Sequence, residues 1–223
     1  MTESPIRVAI VEDQAMFRSL VVSVIDAAPG FTVVAECGTV RDARAELGGG
    51  GVDVVVMDIG LPDGNGFGLA RSLRSRHPDL GIVLLSAHDV MDLLLALDPK
   101  ERIGWSYLSK TSAASAPALL DALRVTVRGG SMLDPELLSA LEPRAQSPLA
   151  KLTRRQFDAL RHLAAGRSNS AIAREMEITP HSVENLLNTV YAVLGVRSEV
   201  ELNSRVSAAL MLIRHGVPQT DAG

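Results

Sequence analysis

The first half of the chain alternates short apolar runs with segments in which apolar residues recur at helical spacing. Runs that are apolar at consecutive positions, as in strands buried on both faces of a sheet, lie at 7–11, 32–35, 52–57, 82–85 and 105–108. Helical spacing is found over 14–28, 39–47, 66–76, 89–98 and 113–128. These five strand–helix units predict an α/β domain in which helices cover a five-stranded parallel sheet.

The alternation stops at residue 150, and only helical signals follow. Four helices are predicted: one from the capping-box pattern at Thr153 to Gly166, one over 169–176 capped by Ser168, one from Thr179 to Gly195, and one over 199–214. The third carries one apolar stripe formed by Val183, Leu187, Val190 and Leu194. A short helix, a tight turn and a capped second helix are typical of a helix-turn-helix, although an ordinary helical bundle fits the same pattern.

The segment between the two halves has a different composition. Gly129 and Gly130 close the first half, and Pro143 and Pro148 lie among polar residues farther on. Prolines in polar surroundings indicate a linker, within which a short helix is expected over 135–141. The predicted domains are therefore 1–130, a linker over 131–149, a helical domain over 150–215, and a flexible tail over 216–223.

Charge and composition narrow the protein class. The net charge is −4, but residues from 151 onward carry nine Lys/Arg against seven Asp/Glu, which leaves −6 for the rest. An acidic N-terminal part and a mildly basic C-terminal part suit a regulatory domain attached to a nucleic-acid-binding domain. The single cysteine excludes an intrachain disulfide. With no apolar run of about 20 residues and no signal-peptide layout at the start, we expect a cytoplasmic protein without membrane contact.

Side chains that can react or bind ligands follow four of the five predicted strands: Glu12 and Asp13, then Asp58, Ser86 and Lys110. In a parallel sheet these positions converge at one carboxyl edge, where such sheets bind ligands. Three clustered carboxylates would have raised pKa values unless a cation neutralised them, and Mg²⁺ is the hard cation that oxygen ligands favour. Taken singly, each residue is equally consistent with a helix cap or a solvated loop position.

That combination of residues supports phosphoryl chemistry. One carboxylate can attack a phosphoryl group to form an aspartyl phosphate. Lys110 and Mg²⁺ can neutralise the phosphoryl oxygens, and the Ser86 hydroxyl can donate to the bound phosphate.

The motifs around these residues resemble the receiver domain of response regulators. They are VAIVED at 8–13, VMDIGLPDG at 56–64, LSA at 85–87 and YLSK at 107–110. The resemblance implies a flavodoxin-like fold with strand order 2-1-3-4-5 and phosphorylation of Asp58. It further implies Mg²⁺ binding by Glu12, Asp13, Asp58 and the Gly60 carbonyl, and a switch formed by Ser86 and Tyr107. Residues 91–104 depart from the family pattern, and Gly60 and His88 lie where family members tune phosphate lifetime.

The second half resembles the LuxR-type DNA-binding domain. The matching stretches are LTRRQ at 152–156, LAAG at 163–166, NSAIA at 169–173, VEN at 183–185 and LGVRS at 194–198. A receiver followed by this module is the layout of the NarL/FixJ subfamily. The resemblance implies a non-enzymatic transcription regulator that a sensor histidine kinase phosphorylates. Phosphorylation would then control dimerisation and binding to promoter half-sites.

DNA contacts are expected from the face of the third helix opposite its apolar stripe. This face is predicted to carry His181, Glu184, Asn185, Asn188 and Tyr191, and asparagine can hydrogen-bond adenine in the major groove. The phosphate contacts are predicted from Thr189, Tyr191, Arg154, Arg155, Arg167 and Arg197, although the arginines are equally consistent with solvated surface charges.

The third helix is poorer in charge than in the family, with Glu184, Leu186, Ala192 and Val193 at positions that often hold basic residues. Weak binding as a monomer is therefore expected, with dimerisation compensating for it. One alternative is a phosphorylation-switched regulator that acts on protein partners through a degenerate helix-turn-helix. Another is a freestanding phosphatase that uses Asp58 on a flavodoxin-like fold.

Overall fold

The structure is a computed structural model that describes residues 4–86, 103–139, 141–196 and 201–218. They form two compact units, one from residues 4–86 and 104–131 and the other from residue 103 together with 132–139, 141–196 and 201–218. The predicted helix over 89–98, His88 and Arg197 lie outside the described residues.

The first unit is built on a parallel sheet whose five strands were predicted to within two residues at each end. They are β1 (Ile6–Val11), β2 (Phe31–Cys37), β3 (Val54–Asp58), β6 (Gly81–Ser86) and β7 (Trp105–Ser109). Their spatial order is β2-β1-β3-β6-β7, which confirms the order 2-1-3-4-5 for the five strands of this sheet. A small antiparallel hairpin, β4 (Gly60–Leu61) with β5 (Gly64–Asn65), follows β3. The central strands β3 and β6 are buried along their whole length, as consecutive apolar residues require.

The described helices of this unit are α1 (Ala15–Asp26), α2 (Val40–Leu47), α3 (Gly66–Arg76), α4 (Lys110–Ala113) and α5 (Ala116–Val127). The helix predicted over 113–128 is present as α5, but it begins three residues later, because the short α4 ends at Ala113 and the chain restarts at Ala116. Pro117 lies in the first turn of α5. That is the part of a helix that tolerates a residue without an N–H.

The second unit contains α6 (Pro135–Ser139), β8 (Leu141–Pro143), a 3-10 turn (Pro148–Lys151), α7 (Arg154–Ala164), α8 (Asn169–Glu175), α9 (Pro180–Leu194), α10 (Glu201–His215) and β9 (Gly216–Pro218). The predicted caps are present. Thr153 and Gln156 form the capping box, and the Thr179 hydroxyl accepts from the Ser182 N–H. Gly195 ends α9 with a φ of 69°, a conformation that favours glycine.

Most of the segment interpreted as a linker packs within the second unit. Its apolar side chains are buried: Met132, Leu133, Leu138, Leu141 and Leu149. Strand β8 pairs in antiparallel orientation with β9, so Gly216–Pro218 of the predicted flexible tail form a strand. Burial of these apolar side chains together with backbone pairing outweighs the loop signal of the prolines.

Candidate functional site

The sheet brings the predicted site residues to one edge. Glu12 and Asp13 follow the end of β1, Asp58 is the last residue of β3, and Lys110 follows the last residue of β7. Strands β1 and β3 are neighbours in parallel register, so their carboxyl ends lie side by side. Oxygens of Glu12, Asp13 and Asp58 all lie within 4.8 Å of one another.

Lys110 links the two buried carboxylates of this cluster. Its Nζ donates to Glu12 Oε1 at 2.8 Å and to Asp58 Oδ2 at 2.9 Å. Glu12 has no exposed surface, and Asp58 is 4% exposed. One ammonium therefore bridges residues that are far apart in the chain, and it offsets part of the repulsion between their charges.

Burial and pairing act in opposite directions on the pKa values of this cluster. Burial raises the pKa of Glu12, and the hydrogen bonds from Lys110 and the Gln14 N–H offset only part of that rise. Burial lowers the pKa of Lys110, but the two carboxylates outweigh it, so the pKa lies above its ordinary value. Lys110 thus stays charged at neutral pH, and Glu12 favours a further cation nearby.

The donor set suits a magnesium ion. Glu12 Oε2 is buried and has no hydrogen-bond partner among the residues that the structure describes. Asp13 is exposed and can approach a hydrated ion from the solvent side. All three donors are carboxylate oxygens, the ligand type that Mg²⁺ prefers. Gly60 lies beside them, since its N–H donates to Asp58 Oδ1 at 3.0 Å.

The two predicted switch residues lie on the neighbouring strands. Ser86 is the last residue of β6 and pairs in register with Ser109, while Tyr107 pairs with Leu84. Both side chains are buried. The structure therefore places Ser86 at the same carboxyl edge as Asp58, and places Tyr107 within the adjacent strand β7.

The sequence analysis missed two neighbours of Asp58 and Lys110, and a third contact that holds the loop after β3. The Phe17 ring lies beside the Lys110 ammonium, and Gly66 packs against the Asp58 backbone. Asp63 accepts from the N–H groups of Val40 and Arg41 at 2.7 and 3.0 Å, which ties the loop after β3 to the start of α2. Gly66, eight residues after Asp58, could have been recognised as a position of close backbone approach. The contacts of Phe17 and Asp63 leave no mark on the hydrophobic periodicity of the sequence.

In the second unit, α9 presents a polar face. Its buried stripe is the predicted one, formed by Val183, Leu187, Val190 and Leu194. His181, Glu184, Asn185 and Asn188 are exposed, as predicted from that stripe, and Thr189 is exposed as well. The prediction that Tyr191 lies on this exposed face is wrong, because its side chain is 5% exposed. Tyr191 follows Leu187 by four residues, which places it on the edge of the buried stripe.

The arginines predicted to contact phosphate differ in their surroundings. Arg154 and Arg155 are exposed in the first turn of α7. Arg167 lies between α7 and α8 and pairs with Glu175 at 2.6 Å, so its charge is partly neutralised within the unit. The backbone carbonyl of Arg167 accepts from Arg205 of α10, which also donates to Asn169.

Among the helices that the structure describes, none combines the length and the apolar character needed to cross a bilayer. Two family models match the chain. The model described as response regulator receiver domain matches residues 8–123, and the model described as bacterial regulatory proteins, luxR family, matches residues 150–206. Together the matched ranges contain the acidic cluster and helices α7 to α9.

Two relatives match about nine-tenths of this chain. The transcriptional regulatory protein UhpA of Escherichia coli is 33% identical over 202 residues, which cover 90% of this chain and 97% of that protein. The DNA-binding transcriptional activator DevR/DosR of Mycobacterium tuberculosis is 30% identical over 202 residues, covering 88% and 91%.

Solved structures show a similar fold. A two-component response regulator of the LuxR family from Aurantimonas is 26% identical with a TM-score of 0.50, covering 58% of this chain and 90% of that one. The RcsB response regulator of Salmonella typhimurium has a TM-score of 0.52 over 92% of this chain and 99% of that chain. At 19% identity, it supports the fold alone.

Proposed function

The chain belongs to the two-component response regulators of the LuxR family, and we propose that phosphorylation of Asp58 switches its binding to promoter DNA. The receiver spans residues 1–130 and the DNA-binding domain residues 150–215. The observation that supports the switch most strongly is the bridging of Asp58 and Glu12 by the Lys110 ammonium at 2.8–2.9 Å. Phosphoryl transfer depends on such positioning and on charge neutralisation rather than on elaborate covalent chemistry.

Asp58 is the nucleophile in this proposal. One carboxylate oxygen forms a bond to phosphorus while the bond from phosphorus to the histidine nitrogen of the sensor kinase breaks, and the histidine keeps the electron pair. The Lys110 ammonium then moves from Asp58 Oδ2 to an oxygen of the transferred phosphoryl group. Mg²⁺, held by Glu12, Asp13, Asp58 and the Gly60 carbonyl, would supply positive charge to the phosphoryl oxygens when bound.

Ser86 and Tyr107 couple phosphorylation of Asp58 to a change at the receiver surface. The phosphoryl group adds close to two negative charges and several strong acceptors. The Ser86 hydroxyl, at the end of the strand beside Asp58, donates to one of these acceptors. That movement leaves space into which the Tyr107 ring repacks, which changes the surface of the receiver.

The output is transcription control by a homodimer on two half-sites in the cytoplasm. The exposed polar face of α9 fits the major groove, with Asn185 and Asn188 able to hydrogen-bond base edges. Arg154 and Arg155 are exposed at the start of α7, so their side chains can contact DNA phosphates. Because the Glu184 carboxylate repels the DNA phosphates, one DNA-binding domain alone binds weakly. Phosphorylation strengthens binding by bringing two chains together as a dimer.

A regulator that acts on protein partners is the second candidate. The exposed Glu184 and Ala192 and the half-buried Leu186 and Val193 favour it, since each lies on α9 where a basic residue would strengthen DNA binding. Binding to DNA in a salt-dependent manner would exclude this candidate.

The chemistry is tested by treating the full chain with acetyl phosphate, with and without Mg²⁺, and following intact mass. We expect one phosphoryl group per chain in the wild type with Mg²⁺, and none in Asp58→Asn. Lys110→Met should be modified far more slowly than the wild type. Asp53→Asn, which removes a carboxylate at the opposite end of β3, serves as the control and should be modified at the normal rate. Modification that persists in Asp58→Asn would refute Asp58 as the phosphoacceptor.

A further inference from the structure

An aromatic ring lies beside the ammonium of the phosphorylation site. Phe17 is in the first turn of α1, four residues after Asp13. The centroid of its ring is 5.3 Å from Lys110 Nζ. This distance is within the range of about 6 Å over which an aromatic face attracts a cation.

The ring completes the surroundings of the ammonium. A lysine ammonium has three N–H donors, and within the described parts of the chain two of them go to Glu12 and Asp58. Attraction to the ring holds the cation without fixing an N–H to a particular acceptor. The Lys110 side chain is 15% exposed, so it can otherwise swing toward water.

We propose that Phe17 is a positioning residue for phosphoryl transfer, whose ring keeps the Lys110 ammonium at Asp58 and lets it move onto the incoming phosphoryl group. This proposal rests on the proposed function, because it assigns Phe17 a part in the modification of Asp58. A carboxylate or amide side chain in place of Phe17 would compete for the third N–H. An aliphatic residue would leave that donor free but would not attract the cation.

The burial of α1 argues against a purely packing role. The α1 side chains that form the core are Val21 and Ile25, which have no exposed surface. Phe17 is only half-buried, and the next residue toward the N-terminus, Met16, is exposed. The position therefore tolerates loss of the ring better than a core position does, and its substitution can be studied in folded protein.

The test compares Phe17→Leu, which keeps an apolar side chain of similar bulk, with Phe17→Tyr, which keeps the ring. The rate of modification of the full chain by acetyl phosphate is measured at saturating Mg²⁺. We expect Phe17→Leu to be about threefold to tenfold slower than the wild type, as loss of a cation–π contact implies. Phe17→Tyr should stay within about twofold, since its ring attracts a cation similarly.

A second readout reports the contact itself. The ε-methylene protons of Lys110, assigned by their absence from the NMR spectrum of Lys110→Arg, should be shifted upfield by the ring in the wild type and in Phe17→Tyr. The shift should disappear in Phe17→Leu. Unfolding in urea, followed by the fluorescence of the single tryptophan, Trp105, shows that both variants are folded.

Two results would overturn the proposal: Phe17→Leu modified as fast as the wild type, or Phe17→Tyr slowed as much as Phe17→Leu. The latter would mean that tight packing, rather than attraction to the ring, is what matters. A wild type that is not modified at Asp58 but still shows the ring-shifted Lys110 signal would refute the proposed function instead, and would leave the contact standing as structural only.

Discussion

The backbone of Gly66 lies so close to that of Asp58 that a β-carbon on Gly66 would be 1.8 Å from the Asp58 carbonyl oxygen. The Gly66 N–H also donates to the carbonyl of Ile59 at 3.0 Å. The first residue of α3 therefore packs directly against the end of β3, which carries Asp58. Any side chain at this position must push the two backbones apart, because neither contact involves a flexible side-chain end.

Substitution of Gly66 by alanine should therefore damage both stability and the site. We expect the first unit to lose at least about 2 kcal/mol of unfolding free energy, as for severe overpacking, and modification of Asp58 to slow at least tenfold. Urea unfolding followed by Trp105 fluorescence and the acetyl phosphate assay measure the two effects. The matched control is Gly68→Ala in the same helix, where a β-carbon meets nothing within 4 Å. Alanine should stabilise the helix there by about 0.5–1 kcal/mol. Equal behaviour of the two variants would contradict the close contact.

The pair formed by Arg7 and Asp53 predicts a pH dependence of stability at the opposite end of the sheet. Arg7 Nη2 is 2.8 Å from Asp53 Oδ1. The side-chain hydrogen bond from Arg7 lowers the pKa of Asp53, and burial offsets only part of that effect. Between this lowered pKa and the ordinary value of about 3.9, the unfolded chain binds more protons than the folded one. Stability from the pair is therefore complete above the ordinary pKa and is lost as pH falls through the lowered one.

Asp53→Asn should remove this acid dependence. The wild type should be more stable than the variant near neutral pH, and the difference should shrink steadily as the solution is acidified below about pH 4. Trp105 lies in the same unit as the pair, so its fluorescence during urea unfolding at a series of pH values gives the difference directly. A difference that is independent of pH would show that the pair stabilises the fold through hydrogen-bond geometry rather than through charge.

The exposed Glu184 on α9 predicts that DNA binding can be strengthened by a charge change. Glu184→Lys removes a carboxylate and adds a cation on the face proposed to enter the major groove. We expect tighter binding and a salt dependence steeper by about one unit of logarithmic slope, as for one added phosphate contact. Fluorescence anisotropy of labelled DNA at several salt concentrations measures both. Glu136→Lys makes the same charge change on the exposed surface of α6. An equal gain in that variant would show that net charge, not the α9 surface, is responsible.

The sheet could be predicted from the sequence because burial on both faces leaves an unmistakable run of apolar residues, as at Val54–Met57. Helix ends were likewise visible in local signals such as Thr153, Thr179 and Gly195. The spatial order of the strands was implied by the family resemblance and not by the apolar pattern. Strand pairing joins residues distant in the chain, and periodicity records only which face of an element is apolar.

The errors arose where weak local signals competed with tertiary packing. Pro143 and Pro148 indicated a linker, yet Leu141 and Leu149 near them are buried, and β8 pairs with β9, which was predicted as part of a flexible tail at the far end of the chain. Tyr191 was placed on the DNA face because it lies outside the four-residue apolar stripe, although its spacing from Leu187 places it at the edge of that stripe. The contact of Phe17 with Lys110 joins α1 to the end of β7, and no pattern within either segment encodes it.

Control of DNA binding by Asp58 is measured by comparing DNA affinity before and after modification of this residue. Oligonucleotides enriched from a random pool by the acetyl phosphate-treated full chain are labelled and titrated with wild type and with Asp58→Asn, each with and without acetyl phosphate and Mg²⁺. We expect treatment to tighten binding and to make it cooperative in the wild type only. Binding in the wild type that is unchanged by modification, or that tightens equally in Asp58→Asn, would contradict this expectation.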